Sequence, residues 1–559
     1  MKDSTTYKKR QPFVIEDVKE WPIYKVSQDK ESYLQEIIAK TKLETLERLK
    51  GDNKLLDEVK IIRYQEIIRL TKNPWQSDSP SELQFWKKKK QEIIATSDIE
   101  DSQERNKEVE KHLDEIMSLY ANEIVANFDP SKFKFAIKLL PFVFSRLLNA
   151  FPGKLYRLFT PAQSFHEKLQ LNGEIEQIRT LATQGTLVFV PTHFSNLDSP
   201  AVGIAMTGIG IPALTYGAGI NLFTIKLLSN MMNNLGSYKV DRRRRNSVYL
   251  DLLKNYSTVG LTRGVHSLFF PGGTRSRSGA IEDSLKLGLL GTVVEAQQIN
   301  LSNKSDKKIF VVPVVLNYHF VMEAQKLITD HLKAAGKEQY LNKDEFKNSF
   351  KTIKFIYKFF TAAPKMVVSF GKPMDVLGNK VNELGESINS LGKKVNVEDY
   401  FITEGKLNNN KQRNRVYTER LANRILSAFK ENNIVFTSHL VAFVAFEIIQ
   451  KRHQQLNIYE LMRLPKEELE ISTPEFEKGV EKMKSALLKL KSKKKLKLSN
   501  EIYEDTHFII NNGLKFLGSY HPQPILKKSK KNTIIITDLK LLYFYHNRTE
   551  GYGLSSKID

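Results

Sequence analysis

At 559 residues, with 41% hydrophobic and 27% charged side chains, the chain has a globular composition and room for two or three domains. It contains no cysteine, which excludes disulfides, thiolate metal sites and a cysteine acyl-enzyme, and suits a reducing compartment. A formal net charge of +23 favours anionic partners; without zinc-finger spacing, an RNA-binding aromatic motif or a Walker loop, nucleic acid falls behind phosphorylated substrates, acidic carrier proteins and anionic membranes.

The first 130 residues read as charged amphipathic helices, with apolar residues at three- and four-residue spacing in stretches such as ESYLQEIIAKTKLETLERL. The N-terminus has no apolar core of a secretory signal. Next, Lys132–Phe159 interleaves aromatics and leucines with Lys and Arg. It suits either a headgroup-level helix or one packed on the protein, and Pro141 is expected to break or kink it.

From about 150 to 376, candidate strands alternate with helical stretches: Thr186–Val190, Pro212–Tyr216, Ser237–Asp241, Ser267–Phe270, Ile309–Val315 and Met366–Phe370. This predicts an α/β fold, a mixed sheet flanked by helices. The uncharged run Ser199–Ile225 could cross a bilayer by length, but its four glycines from Gly203 to Gly217, and Pro212, argue for a helix followed by a strand. No transmembrane helix is predicted. Residues 377–412 read as an insertion or linker, 413–450 as helix, and the last hundred as a mixture with short strands such as Thr533–Thr537; no repeat stands out. The expected division is a helical domain over 1–130, an α/β domain over 131–376, the insertion or linker over 377–412, and a C-terminal α+β region over 413–559.

Four segments carry chemistry. In TLVFVPTHFSNLDSP a buried strand ends at His193, and Asp198 follows just before an expected Ser199 cap and Pro200 at the first helical position. Open α/β sheets place ligands at the carboxyl ends of their strands, and a carboxylate can orient a histidine base. With no serine or cysteine placed as nucleophile, the pair suggests activation of a substrate hydroxyl; a capping Asp beside a structural His is the plainer alternative. SLFFPGGTRSRSG offers Gly272 and Gly273 in a turn, with Arg275 and Arg277 as a phosphate fork. GSYKVDRRRR ends a third strand: Asp241 and Arg242 are site candidates there, whereas Arg244 and Arg245 read as solvated charge. IFVVPVVLNYH is a core strand broken at Pro313. His266 and His319, near these blocks, are second-tier candidates.

In this order the four blocks resemble the glycerolphosphate acyltransferase family with its H-x4-D motif, and are most similar to the bacterial glycerol-3-phosphate and dihydroxyacetone-phosphate acyltransferases. YGAGINLF, VVSFGKPMDV and the C-terminal LLYFYHNRTEGYGL add to the resemblance, which covers roughly residues 135 to 450 with weaker echoes to the end. It implies that 131–376 is a catalytic domain moving a fatty acyl group from acyl-CoA or acyl carrier protein to glycerol 3-phosphate, the first step of phospholipid synthesis. His193 would be the base and Asp198 its partner, and Arg242, Gly272, Gly273, Arg275 and Arg277 would bind phosphate. No metal or redox cofactor is implied. Lysophosphatidate is the alternative acceptor, and a weakened membrane-binding relative the alternative role. Expected partners are the substrates and an anionic membrane surface, with the chain peripheral or monotopic on the cytoplasmic side. One departure stands out: Gly272 occupies the place of an acidic residue in most relatives.

Overall fold

The structure, a computed structural model, describes residues 10–51, 53–149, 169–220, 223, 229, 232–321, 323–334, 366–518, 521 and 523–557, with side chains omitted from 140 to 149. Its centre is a seven-stranded sheet made of β1 (Leu169–Gly173), β2 (Gly185–Pro191), β3 (Thr215–Gly219), β4 (Ser237–Val240), β5 (Ser267–Leu268), β6 (Lys308–Asn317) and β7 (Met366–Phe370). The spatial order is β1-β7-β6-β2-β5-β3-β4. Strands β6, β2, β5, β3 and β4 run parallel; β7 lies antiparallel to β6, and β1 parallel to β7, so the sheet is mixed.

The apolar runs in β2 and β6 are explained by burial on both faces. Leu187 and Phe189 join Phe310, Val312 and Val314 in one core, while Val188 and Val190 join Ile309, Val311 and Val315 in another. The two-residue alternation of a strand sends neighbours to opposite faces. The first face carries the helix Ile175–Gln184, and its core continues through Asp198–Gly208 into the helix Thr437–Arg452, buried at every residue from Thr437 to Ile449, and the C-terminal helices Thr473–Ser492, Thr506–Gly518 and Leu539–His546 packed around it. The second is covered by Leu287–Ser302 and Lys411–Asn432. The N-terminal helices, from Lys30–Arg48 to Ser102–Ile124, pack on Ser247–Thr262 at the β4 side.

Several local expectations are corrected. Pro313 does not break β6. It stands opposite Gly371, just past the end of β7, and its carbonyl still accepts Gly371 N–H, so only the reciprocal bond is missing. The helix Pro130–Asn149 runs through Pro141. β3 begins three residues later than expected, β5 is two residues long, and β1 was not anticipated. Residues 375–395 form a meander in which one turn recurs every seven residues. Asp375, Asn382 and Asn389 each accept two backbone N–H groups with Oδ1, and Gly378, Gly385 and Gly392 follow at φ of +80°, +67° and +78°. This internal repeat escaped the sequence reading. Among the described residues no helix is long and apolar enough to cross a membrane.

Candidate active site

β2, β5, β3 and β4 end on one edge of the sheet, and the candidate residues follow those ends. Past β2, Thr192 N–H donates to the Val314 carbonyl, and Thr192 Oγ1 accepts from Leu316 N–H, so the chain is tied to β6 before it turns at His193. The helix after the turn starts at Asp198, earlier than the expected Ser199 cap. Asp198 folds back over the turn instead. Its Oδ2 accepts from Phe194 N–H (2.5 Å) and Ser195 N–H (2.8 Å) and meets His193 Nδ1 at 2.8 Å; Tyr318 Oη donates to Oδ1. Asp198 is fully buried, whereas the His193 side chain keeps 15% exposure. With Nδ1–H turned to the carboxylate, Nε2 is the ring nitrogen that carries the lone pair. The ring stacks on Phe270, with centroids 4.1 Å apart. Burial and the neighbouring Asp198 push the Tyr318 phenol well up, so Tyr318 is a neutral donor.

The turn after β5 closes over this pair. Ser276 N–H donates to the His193 carbonyl at 2.7 Å, and the Glu282 carboxylate accepts His193 N–H at 2.8 Å. Gly273 has φ +77°, which a side chain would strain. Gly272 has no such torsion: a Cβ there would stand 3.2 Å from Glu282 Cγ. Glycine at 272 is therefore a matter of space, not of backbone conformation. Burial pushes the Glu282 carboxyl up to about 7.

The arginines part company. Arg275 lies 3.6 Å from Glu323, a buried carboxylate that also accepts Ser195 Oγ–H (3.0 Å) and Asn196 N–H (2.9 Å), so Arg275 also braces the turn carrying His193. Arg277 is half-buried on the same loop; burial, and then the nearby Arg277 charge, lower the pKa of His331. Arg242 is exposed at the end of β4, three strands from β2, or about 14 Å at usual strand spacing. Its neighbours overturn the sequence reading. Asp241 is no site candidate, because it is buried among Arg69, Arg243 and Arg244. Arg244 is not solvated; it is buried against Glu66, Glu82 and Glu123.

The second-tier histidines are structural. His266 accepts Leu187 N–H with Nδ1, and burial lowers its pKa to about 4. His319 is sandwiched between Phe436 and Phe516.

Three contributors were not named from sequence: Tyr318, Glu323 and Arg548; Glu282 lies near the Gly272 turn in the sequence, but nothing there assigns it the place of the missing carboxylate. Arg548 comes from the C-terminal tail. Its guanidinium lies 3.9 Å over Phe194 and donates to Leu316 O and to the side chains of Asn317 and Asn433. Nearby, Asn547 Nδ2–H donates to the Ser278 carbonyl. Tyr318 and Arg548 lie in stretches that carried the resemblance, but no periodicity or spacing singled them out.

Residues 172–317 match the Acyltransferase family model. Glycerol-3-phosphate acyltransferases from Aeromonas hydrophila, Alteromonas mediterranea and Histophilus somni are 29%, 24% and 30% identical over 229, 229 and 166 residues. These matches cover 39%, 41% and 29% of this chain, but only 26%, 25% and 20% of the relatives, so the chain spans about a quarter of their length or less in these matches. Residues 172–317 of the chain, holding His193, Asp198 and the Gly272–Arg277 loop, are thus the part that matches the Acyltransferase model, and the chain is similar to glycerol-3-phosphate acyltransferases.

Proposed function

We propose that the chain transfers a fatty acyl group from a thioester, acyl-CoA or acyl carrier protein, to a hydroxyl of glycerol 3-phosphate. The observation that carries this reading is the fixed His193–Asp198 pair, with Nε2 left as the base, beside a Gly/Arg loop in an acyltransferase domain. His193 Nε2 takes the acceptor's hydroxyl proton as that oxygen bonds to the thioester carbonyl carbon. Collapse of the tetrahedral intermediate breaks the C–S bond, and the imidazolium returns the proton to the departing sulfur. Asp198 holds the tautomer and stabilises the imidazolium. Arg277, with Arg242 and Arg275, supplies charge for the phosphate. These steps call on no metal or redox cofactor.

The test is acyl transfer with glycerol 3-phosphate, dihydroxyacetone phosphate and lysophosphatidate, each with both donors. Turnover of glycerol 3-phosphate in detergent-free buffer supports the reading; preference for lysophosphatidate moves the acceptor assignment, and turnover of none means a binding role. Arg277→Ala is expected to raise the acceptor KM roughly 10- to 100-fold, the loss of one charge-assisted contact, with the donor KM little changed. A change confined to the donor KM would reassign Arg277.

The chain is also proposed to bind anionic membranes peripherally, on their cytoplasmic face. On the helix Pro130–Asn149, Lys132, Lys134 and Lys138 are exposed and Phe135 is 63% exposed, and the net charge is +23. Sedimentation with phosphatidylserine vesicles is expected at low salt and release at high salt, since surface attraction is screened. Retention at high salt would indicate insertion, and no binding at low salt would remove the membrane from the mechanism.

A further inference from the structure

The loop Pro271–Lys286 holds both backbone polar groups of His193, the carbonyl through Ser276 N–H and the N–H through Glu282 Oε1. Asp198 and Phe270 fix the imidazole itself. Of these supports, only Glu282 reaches the site from ten residues beyond the glycine it touches. Its Oε2 is sealed from solvent and has no hydrogen-bond partner among the described residues. A carboxylate left half-satisfied in such a place costs stability, and that cost persists where a position is needed for function.

The space around Gly272 explains why the carboxylate comes from residue 282. A Cβ on residue 272 would lie 3.2 Å from Glu282 Cγ and 3.4 Å from its Oε1. Within a glutamate, Cβ and a carboxylate oxygen are three bonds apart, about 3 to 4 Å. A glutamate on residue 272 could thus lay its oxygen where Glu282 Oε1 now sits. The same distances mean that both side chains cannot be there together without displacement.

We infer that Glu282 is a positioning residue for His193, and that positions 272 and 282 share a single carboxylate site against the His193 amide, filled in this chain from 282. The inference builds on His193 as the base of acyl transfer. Its consequence is a non-additive pair. Each single change, Glu282→Ala or Gly272→Glu, harms the site, the first by vacating it and the second by crowding it. The double variant moves the carboxylate from one side of the loop to the other and restores it.

The experiment compares the wild type, Glu282→Ala, Glu282→Gln, Gly272→Glu and Gly272→Glu/Glu282→Ala in steady-state kinetics and urea unfolding. Glu282→Ala is expected to lower kcat by about tenfold or more with acceptor KM within about threefold, the pattern of a displaced base rather than of lost binding. Glu282→Gln, whose amide oxygen can accept the same N–H, recovers most of the rate. The double variant turns over faster than either single variant and is more stable than Gly272→Glu. A double variant no better than the sum of its parts overturns the shared site, and wild-type kcat in Glu282→Ala overturns the positioning role. Should the wild type acylate no acceptor, or His193→Ala keep its activity, the functional reading fails instead; the coupling in the unfolding free energies still reports on the shared site, because it needs no turnover.

Discussion

His193→Ala is expected to slow acyl transfer by about two to four orders of magnitude, the usual cost of losing a general base. The loss should fall on kcat, since in the proposed mechanism the ring nitrogen acts in the transition state and not in ground-state binding. The fold should survive, because the strand before His193 is held by β6 through Thr192 and the turn after it by Asp198. Asp198→Asn should be severely impaired as well. Asp198 Oδ2 accepts from two backbone N–H groups besides meeting Nδ1, and an amide nitrogen there would face donors. Single-turnover rates with saturating acceptor and donor, alongside urea unfolding, separate chemistry from folding. A His193→Ala enzyme within a few-fold of wild type would remove His193 from the mechanism.

The second large effect lies far from the chemistry. Arg244, at the end of β4, is sealed among Glu82 (2.6 Å), Glu123 (2.8 Å) and Glu66 (3.4 Å), with its guanidinium over Tyr120. Arg69 meets Glu66, Asp78, Glu82 and Asp241 in the same cluster, and Arg243 bridges Asp78 and Asp241. Three cations thus face five carboxylates, and burial already raises the pKa of Glu123. Arg244→Ala would strand those carboxylates, a change that typically costs about 3 to 5 kcal/mol. The N-terminal helices and the β4 end of the central sheet share this cluster, so the urea midpoint monitored at the tryptophans and the midpoint of activity loss should shift together. Arg244→Met, which keeps the bulk without the charge, should be nearly as damaging. A loss below about 1 kcal/mol would mean that the cluster behaves as a surface one.

This cluster shows where sequence reasoning stops. Arg244 reads as solvated because it sits in a run of four arginines; the carboxylates that bury it come from residues 66, 82 and 123, more than a hundred positions upstream. β1 was missed for the same reason: LQLNG has little strand character alone and pairs with β7 from the far end of the domain. The seven-residue turn was missed although Asx, Leu, Gly and a β-branched residue recur in DVLGNKV, NELGESI and NSLGKKV, because what the pattern does lies in backbone hydrogen bonds.

The sequence by itself determined the alternating strands and helices, the strand that ends at His193, and the pairing of His193 with Asp198. These depend on periodicity and on residues five apart, which local sterics and burial dictate. It also carried, through ordered motifs, the likeness to glycerolphosphate acyltransferases. Only the tertiary structure decided that Tyr318 donates to Asp198, that Glu323 draws Arg275 toward the turn bearing His193, that Arg548 returns from the C-terminus to lie on Phe194, and that Glu282 fills the space beside Gly272. Those contacts join residues from 10 to more than 350 positions apart. Their geometry is set by how the sheet edge, its loops and the C-terminal helices close on one another, and no local pattern encodes that.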